Sequence, residues 1–133
     1  MKRYVMAVCA SAFLVSCGSI GTAVNTSNQP SLVDTKWQLA ENVKGKVPTL
    51  NVQTGKIAGN GGCNNYFGEL ITDAATGSFS ASNIGSTKMA CASMTAESAF
   101  FSMLPKANKY RVSGNTLELY QNSLLLLKFN RIQ

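Results

Sequence analysis

The feature that most limits what this chain can fold into is a train of short runs alternating apolar and polar residues, each closed by a turn signal. Thr35, Trp37 and Leu39 alternate with Lys36 and Gln38, which makes Trp37 the core anchor of the first run. A turn over residues 42–48 leads to the run 49–53, and Thr54-Gly55 turns the chain into 56–59. Residues 66–72 alternate more weakly, and a Gly-containing turn at 73–77 opens the run 78–84. The runs 110–112, 117–120 and 124–129, separated by Ser113-Gly114-Asn115 and Gln121-Asn122-Ser123, close the chain as a meander. Period-2 runs send alternate side chains to opposite faces, and connections this short make neighbouring strands antiparallel. A chain of 133 residues holds one such core. The expected fold is mainly β, a small antiparallel barrel-like sheet.

One stretch departs from that period. Between Met94 and Leu104, the residues Ala96, Phe100, Met103 and Leu104 recur at helical spacing. Ser93 or Thr95 is the expected N-cap, and Glu97 lies in the first turn, where the helix dipole favours a carboxylate. Pro105 ends the helix near Leu104 or lets it continue only irregularly. A single amphipathic helix packs on the sheet, and the run Leu124-Leu125-Leu126-Leu127 offers it an apolar surface. Leu125, Leu127 and Phe129 are expected inside, with Leu124 and Leu126 near the helix or an edge. The alternative makes Leu124 and Leu126 an exposed docking patch.

The N-terminus reads as a targeting segment. Lys2 and Arg3 precede an apolar run from Tyr4 to Val15 that is too short to span a bilayer, which needs about 20 apolar residues. It ends in Leu14-Val15-Ser16-Cys17, which resembles the lipobox of bacterial lipoproteins. Residues 1–16 are then a signal peptide, and Cys17 is the lipidated first residue of the mature protein. Multiple acyl chains anchor stably, because each buried CH₂ contributes about 0.8 kcal/mol and one chain alone is marginal. Gly18 in place of Asp after the cysteine implies, by the same resemblance, sorting to the outer membrane. Residues 17–31 are small and polar with no fitted period, so they read as a lipidated tether to the domain at 32–133.

Composition removes several functions. The chain has no His, which excludes Ser-His-Asp and Cys-His catalysis, His-type zinc sites and His-based pH switching. Its basic residues are scattered, with only Lys106, Lys109 and Arg111 close together, so no nucleic-acid stripe is present. Gly59, Gly61 and Gly62 do not make G-x-G-x-x-G, because Asn64 stands at the third glycine position, and no Gly-Lys-Ser/Thr follows. These glycines are expected to supply turns or a bulge and to let Cys63 approach another strand, while Asn64 and Asn65 bond locally. The carboxylates Asp34, Glu41, Glu69, Asp73, Glu97 and Glu118 fall at turns, a helix start or outward strand positions, though Glu69 and Glu118 could meet across the sheet. Within the stretches 59–68 and 84–91, Thr87 and Lys88 are the one adjacent hydroxyl–amine pair, and on a strand they point to opposite faces. No catalytic residue, metal or cofactor is expected. Cys63 and Cys91 lack partners for a metal site and the C-x-x-C spacing of a redox motif. In an oxidising envelope the ordinary outcome is a disulfide, worth about 3.5 kcal/mol by loop closure, with two buried free thiols as the alternative.

Two blocks carry a family resemblance. The stretch Gly59-Asn60-Gly61-Gly62-Cys63-Asn64-Asn65-Tyr66-Phe67-Gly68 is similar to the glycine-cysteine-asparagine signature of the META (HslJ-like) domain. Ile84-Gly85-Ser86-Thr87-Lys88-Met89-Ala90-Cys91 resembles the Thr-Lys-Met-Ala-Cys element that precedes the helix of that family. Glu97 and Phe100 look like the Glu and aromatic positions of that helix, and the closing strands follow the family pattern as well. Ala92-Ser93 replaces the proline-rich continuation common after the second cysteine. The resemblance implies a barrel-like β fold with one helix, structural roles for Gly59, Gly62, Cys63, Asn64, Thr87, Lys88, Met89 and Cys91, and association with envelope stress and antibiotic tolerance. It implies no agreed activity. The leading expectation is therefore a non-enzymatic outer-membrane lipoprotein facing the periplasm, held at Cys17 and binding another envelope component. The alternatives are a lipocalin-like carrier of a small apolar ligand and an inhibitor of a lytic enzyme or protease.

Overall fold

A computed structural model of the chain describes residues 24–133. The signal-peptide and lipidation assignments at residues 1–17, and the first part of the tether, lie outside the described residues. The elements are β1 (Thr35–Leu39), β2 (Thr49–Gln53), β3 (Lys56–Asn60), β4 (Asn65–Asp73), β5 (Ser78–Ser86), α1 (Thr95–Met103), a 3-10 turn (Leu104–Lys106), β6 (Lys109–Ser113), β7 (Thr116–Gln121) and β8 (Leu124–Ile132). Every neighbouring pair is antiparallel, and β8 returns to β1 through Lys36↔Ile132 to Leu39↔Phe129, closing the barrel. Closure pairs every strand on both sides, although β5 and β6 share only Ser78↔Lys109, so most of the free edge of an open meander is gone.

Side-chain alternation builds the interior. In β4, Tyr66, Gly68 and Leu70 point in while Phe67, Glu69 and Ile71 point out. Trp37, Tyr110, Phe79, Phe100 and Phe129 are fully buried together with Leu50, Ile57, Leu117, Leu119 and Leu127, so the barrel is packed solid by its own side chains. The indole N–H of Trp37 donates to Thr35 Oγ1 at 2.7 Å, and the Arg131 guanidinium lies 5.0 Å from the centre of the ring. Helix α1 contributes Phe100, and the turn after it contributes Leu104, both buried.

The structure corrects three expectations. Neither Ser93 nor Thr95 caps the helix: the N-cap is Met94, with no side-chain cap bond. The helix does continue past Leu104 only as a 3-10 turn containing Pro105. Leu125 is exposed, not interior. A bulge shifts the β7–β8 register from Leu119↔Leu127 to Tyr120↔Leu125, so inward facing changes phase; Tyr120 is buried, Leu126 half-buried and Leu124 exposed. Finally, the tether is not free up to Ser31. Asn28 and Gln29 donate backbone N–H to the carbonyls of Ala75 and Ala74, Val112 N–H donates to Gln29 Oε1, and Tyr110 O–H donates to the Pro30 carbonyl. Thr26 is buried against Gly77, whose φ of +69° and lack of a Cβ both matter: a Cβ there would fall 2.0 Å from the Thr26 carbonyl oxygen. Residues 26–30 are thus a strap across the β4–β5 turn.

Candidate functional site

The two motif blocks meet at one end of the barrel, and what joins them is Glu97. The loop between β3 and β4 turns at Gly62, with φ +124°. The Asn60 side chain sets it: Oδ1 accepts from Gly62 N–H at 2.9 Å, and Nδ2 donates to the Cys63 carbonyl at 3.2 Å. Gly59 is required by close packing, since a Cβ would lie 2.3 Å from the Thr49 carbonyl oxygen. The loop then aims two consecutive backbone N–H groups at α1. Glu97 Oε2 accepts from Cys63 N–H at 2.8 Å and from Asn64 N–H at 2.6 Å, and Oε1 accepts from Asn64 Nδ2 at 2.6 Å.

Asn64 carries the connection onward. Its Oδ1 accepts from Met89 N–H at 2.6 Å and Thr87 Oγ1–H at 2.8 Å, and its Nδ2 also donates to the Met89 carbonyl at 3.1 Å. The Cys63–Cys91 disulfide, with Cα atoms 6.0 Å apart, adds a covalent tie between the same two segments. Below them Tyr66 packs against Phe100 and Phe101, with ring centroids 5.4 and 5.5 Å away, and donates its O–H to the Thr49 carbonyl. Glu97 is 4 % exposed. Burial works to raise its pKa, but the hydrogen bonds from the Asn64 side chain and from the backbone of Asn64 and Cys63, with the Lys88 charge, outweigh it and hold it below the ordinary carboxylate range. The carboxylate is an anionic staple.

The residues singled out from the sequence are therefore brought together, in unequal roles. Gly59, Gly62, Cys63, Asn64, Thr87 and Cys91 make the joint; Met89 serves through its backbone, and its side chain is exposed. Lys88 is exposed, with Nζ 3.5 Å from Ser86 Oγ. Glu97 is the residue whose role sequence reasoning missed. Its signal was available: Glu97, Phe100 and Leu104 share one helical stripe, so the carboxylate sits on the buried face.

Glu69 and Glu118 do not meet. Glu69, on β4, accepts from Asn83 Nδ2 at 2.8 Å, whereas Glu118 is on β7. Glu118 accepts from Arg111 Nη2 at 2.7 Å and Tyr120 O–H at 2.7 Å, with Lys128 Nζ 3.8 Å away. Its partial burial raises its pKa, and the Tyr120 and Arg111 bonds lower it further than that, for a net downward shift. Among the described residues no cluster of three or more metal-ligating side chains is found.

The META domain family model matches the chain over residues 30–132, a span that includes both blocks and the helix. The chain belongs to the META domain family. Two solved structures share its fold. The NMR structure of a protein from Burkholderia xenovorans aligns with a TM-score of 0.64 at 24% identity, covering 77% of this chain and 84% of that one. A second NMR structure aligns with a TM-score of 0.57 at 19% identity, covering 73% and 88%. No curated protein matches the chain.

Proposed function

We propose that this META domain is a non-enzymatic binding module of the bacterial envelope, anchored in the outer membrane through lipidated Cys17 and supporting stress or antibiotic tolerance by engaging another envelope component. The observation that carries this reading is how the barrel distributes its side chains. The interior is filled by aromatic and leucine side chains, and the two carboxylates with lowered pKa, Glu97 and Glu118, are each engaged by structural donors. A lipocalin-like ligand would have to displace Trp37 or Phe79 from the centre of the barrel. The outer surface, by contrast, presents Phe67, Ile71, Met89, Leu124 and Leu125 to solvent. Phe67 and Ile71 share the outward face of β4 and offer a partner macromolecule an apolar contact there.

Two measurements test the reading. Palmitate incorporation and membrane fractionation of wild type against Cys17→Ala should show labelling and membrane retention only in wild type. Photo-crosslinkers placed at Phe67, Ile71, Ser82 and Leu124 in intact envelopes should give discrete adducts that the Cys17→Ala variant loses. Label-free wild type, or an absence of adducts from every position, refutes the proposal.

A further inference from the structure

The barrel closes unevenly. β4 pairs with β5 along nearly its whole length, from Asp73↔Ser78 to Tyr66↔Ser86, whereas β5 pairs with β6 only at Ser78↔Lys109. Two flanking backbone bonds, Phe79 N–H to the Asn108 carbonyl and Tyr110 N–H to the Gly77 carbonyl, complete that seam. Beyond Phe79 the neighbour of β5 is no longer a strand but the 3-10 turn Leu104–Lys106, in which Pro105 has no N–H to offer.

The alternation of β5 shows which peptide groups are left. Phe79 N–H points to the seam and Thr87 N–H points to β4, where it bonds the Asn65 carbonyl. Between them lies a bulge, marked by the φ of +50° at Asn83 and the register shift opposite Phe67 and Glu69. Counting inward from both ends turns the peptide groups of Ala81, Ile84 and Ser86 away from β4; Ala81 is buried, which leaves Ile84 and Ser86 partly exposed. Among the described residues no backbone group bonds to them from the seam side. A groove of about 360 Å³ runs there, lined by Ser82, Ile84, Ser86, Lys88, Phe101 and Pro105.

We propose that this free β5 edge is a peptide-binding site that takes an extended segment of a partner protein as an added strand, with an acidic side chain opposite Lys88. Such an edge is completed by the one chemistry it lacks, a row of backbone donors and acceptors about 4.8 Å away. The open length from Ile84 to Ser86 accepts about three residues. Phe101 and Ile84 offer an apolar contact, and Lys88 is the only charged side chain of the lining, so the complement is an acidic residue. This proposal rests on the binding-module reading and narrows it to one surface.

The test uses the full, oxidised, ¹⁵N-labelled chain in detergent micelles. In the free protein the amides of Ile84 and Ser86 should exchange with solvent at least tenfold faster than those of Leu70 and Tyr66. The probe is a capped hexapeptide alternating threonine and valine and ending in glutamate. It should shift the resonances of residues 82–88 and slow exchange at those two amides. A glutamine-ended peptide, or Lys88→Ala, should bind about threefold weaker, the size of one exposed ion pair. Slow exchange in the free protein overturns the proposal, as does protection produced by self-association without peptide or shifts confined to Phe67 and Ile71. In that last case crosslinked adducts from those positions would still uphold the binding-module reading.

Discussion

Removing the Glu97 carboxylate should loosen the whole signature end of the barrel. In Glu97→Ala the N–H groups of Cys63 and Asn64 lose the acceptor they share, in a place only 3 to 7 % exposed. Each buried donor left unpaired costs about 1–3 kcal/mol, so the expected loss is about 4 kcal/mol. Glu97→Gln separates charge from shape. One oxygen still accepts the two backbone bonds, but the new amide donor faces Asn64 Nδ2, which is itself a donor. Asn64 cannot flip to relieve the conflict, because its Oδ1 already accepts from Met89 N–H and Thr87 Oγ1–H. About 2 kcal/mol is expected for that variant. Urea unfolding of the oxidised proteins measures both, and a domain of this size loses about 4 °C of Tm per kcal/mol. The pH dependence adds an independent check. The folded pKa of Glu97 is lowered, so its stabilisation is fully present above the unfolded carboxylate value of about 4.3 and is lost as pH falls through the folded value. Glu118 shifts the same way, so the wild-type minus Glu97→Gln difference isolates the staple, and it should shrink below about pH 4. Two variants within about 1 kcal/mol of wild type at pH 7 would refute the reasoning.

Other perturbations have definite expected sizes. Thiol labelling should find Cys63 and Cys91 protected until reductant is added, and reduction should lower stability by about 3.5 kcal/mol in urea titrations. Phe100→Ala, at a fully buried ring touching Tyr66 and Phe129, should cost about 3–5 kcal/mol by the same assay. Leu127→Ala should cost about 2–5 kcal/mol while Leu125→Ser stays within about 0.5 kcal/mol, which checks the bulge directly. Gly77→Ala should displace the 26–30 strap, seen as faster amide exchange at Asn28 and Gln29 with the barrel amides unchanged.

Strand positions were legible because alternation is a direct record of facing: the runs at 35–39 and 49–53 coincide with β1 and β2, and the others differ from the observed strands by a few residues at their ends. Facing failed at Leu125, where the bulge depends on which residue stands opposite, a property of two strands and not of one. The strap was illegible for a different reason. Thr26 to Pro30 hold the barrel mainly through backbone and amide hydrogen bonds, and these leave no mark in hydropathy. The joint was half legible. Its glycines and cysteines stand out in sequence, but the target of Glu97 lies more than thirty residues away, and helix-dipole reasoning supplied a local explanation that sufficed.

The topology also decides which loops share an end of the barrel. In an up-and-down barrel successive connections alternate between the two ends. The Gly-Cys-Asn loop joins β3 to β4 and the α1 segment joins β5 to β6, so both lie at one end. The β4–β5 turn lies at the other, and the 26–30 strap is bonded to it. On the anchoring proposed above, a chain held at Cys17 enters through the strap, and the nine residues before Thr26 reach at most about 30 Å when fully extended. On that proposal the stapled end, with exposed Lys44, Lys46, Lys88 and Met89 around it, points away from the bilayer. Moving the anchor to the opposite end tests this: a lipidated cysteine grafted after Gln133 leaves the polarity unchanged, since β8 ends beside β1 at the strap end. A graft within the 40–48 loop reverses it. Envelope crosslinks from Ser82 should survive the first graft and be lost with the second; equal crosslinking from both would show that polarity plays no part.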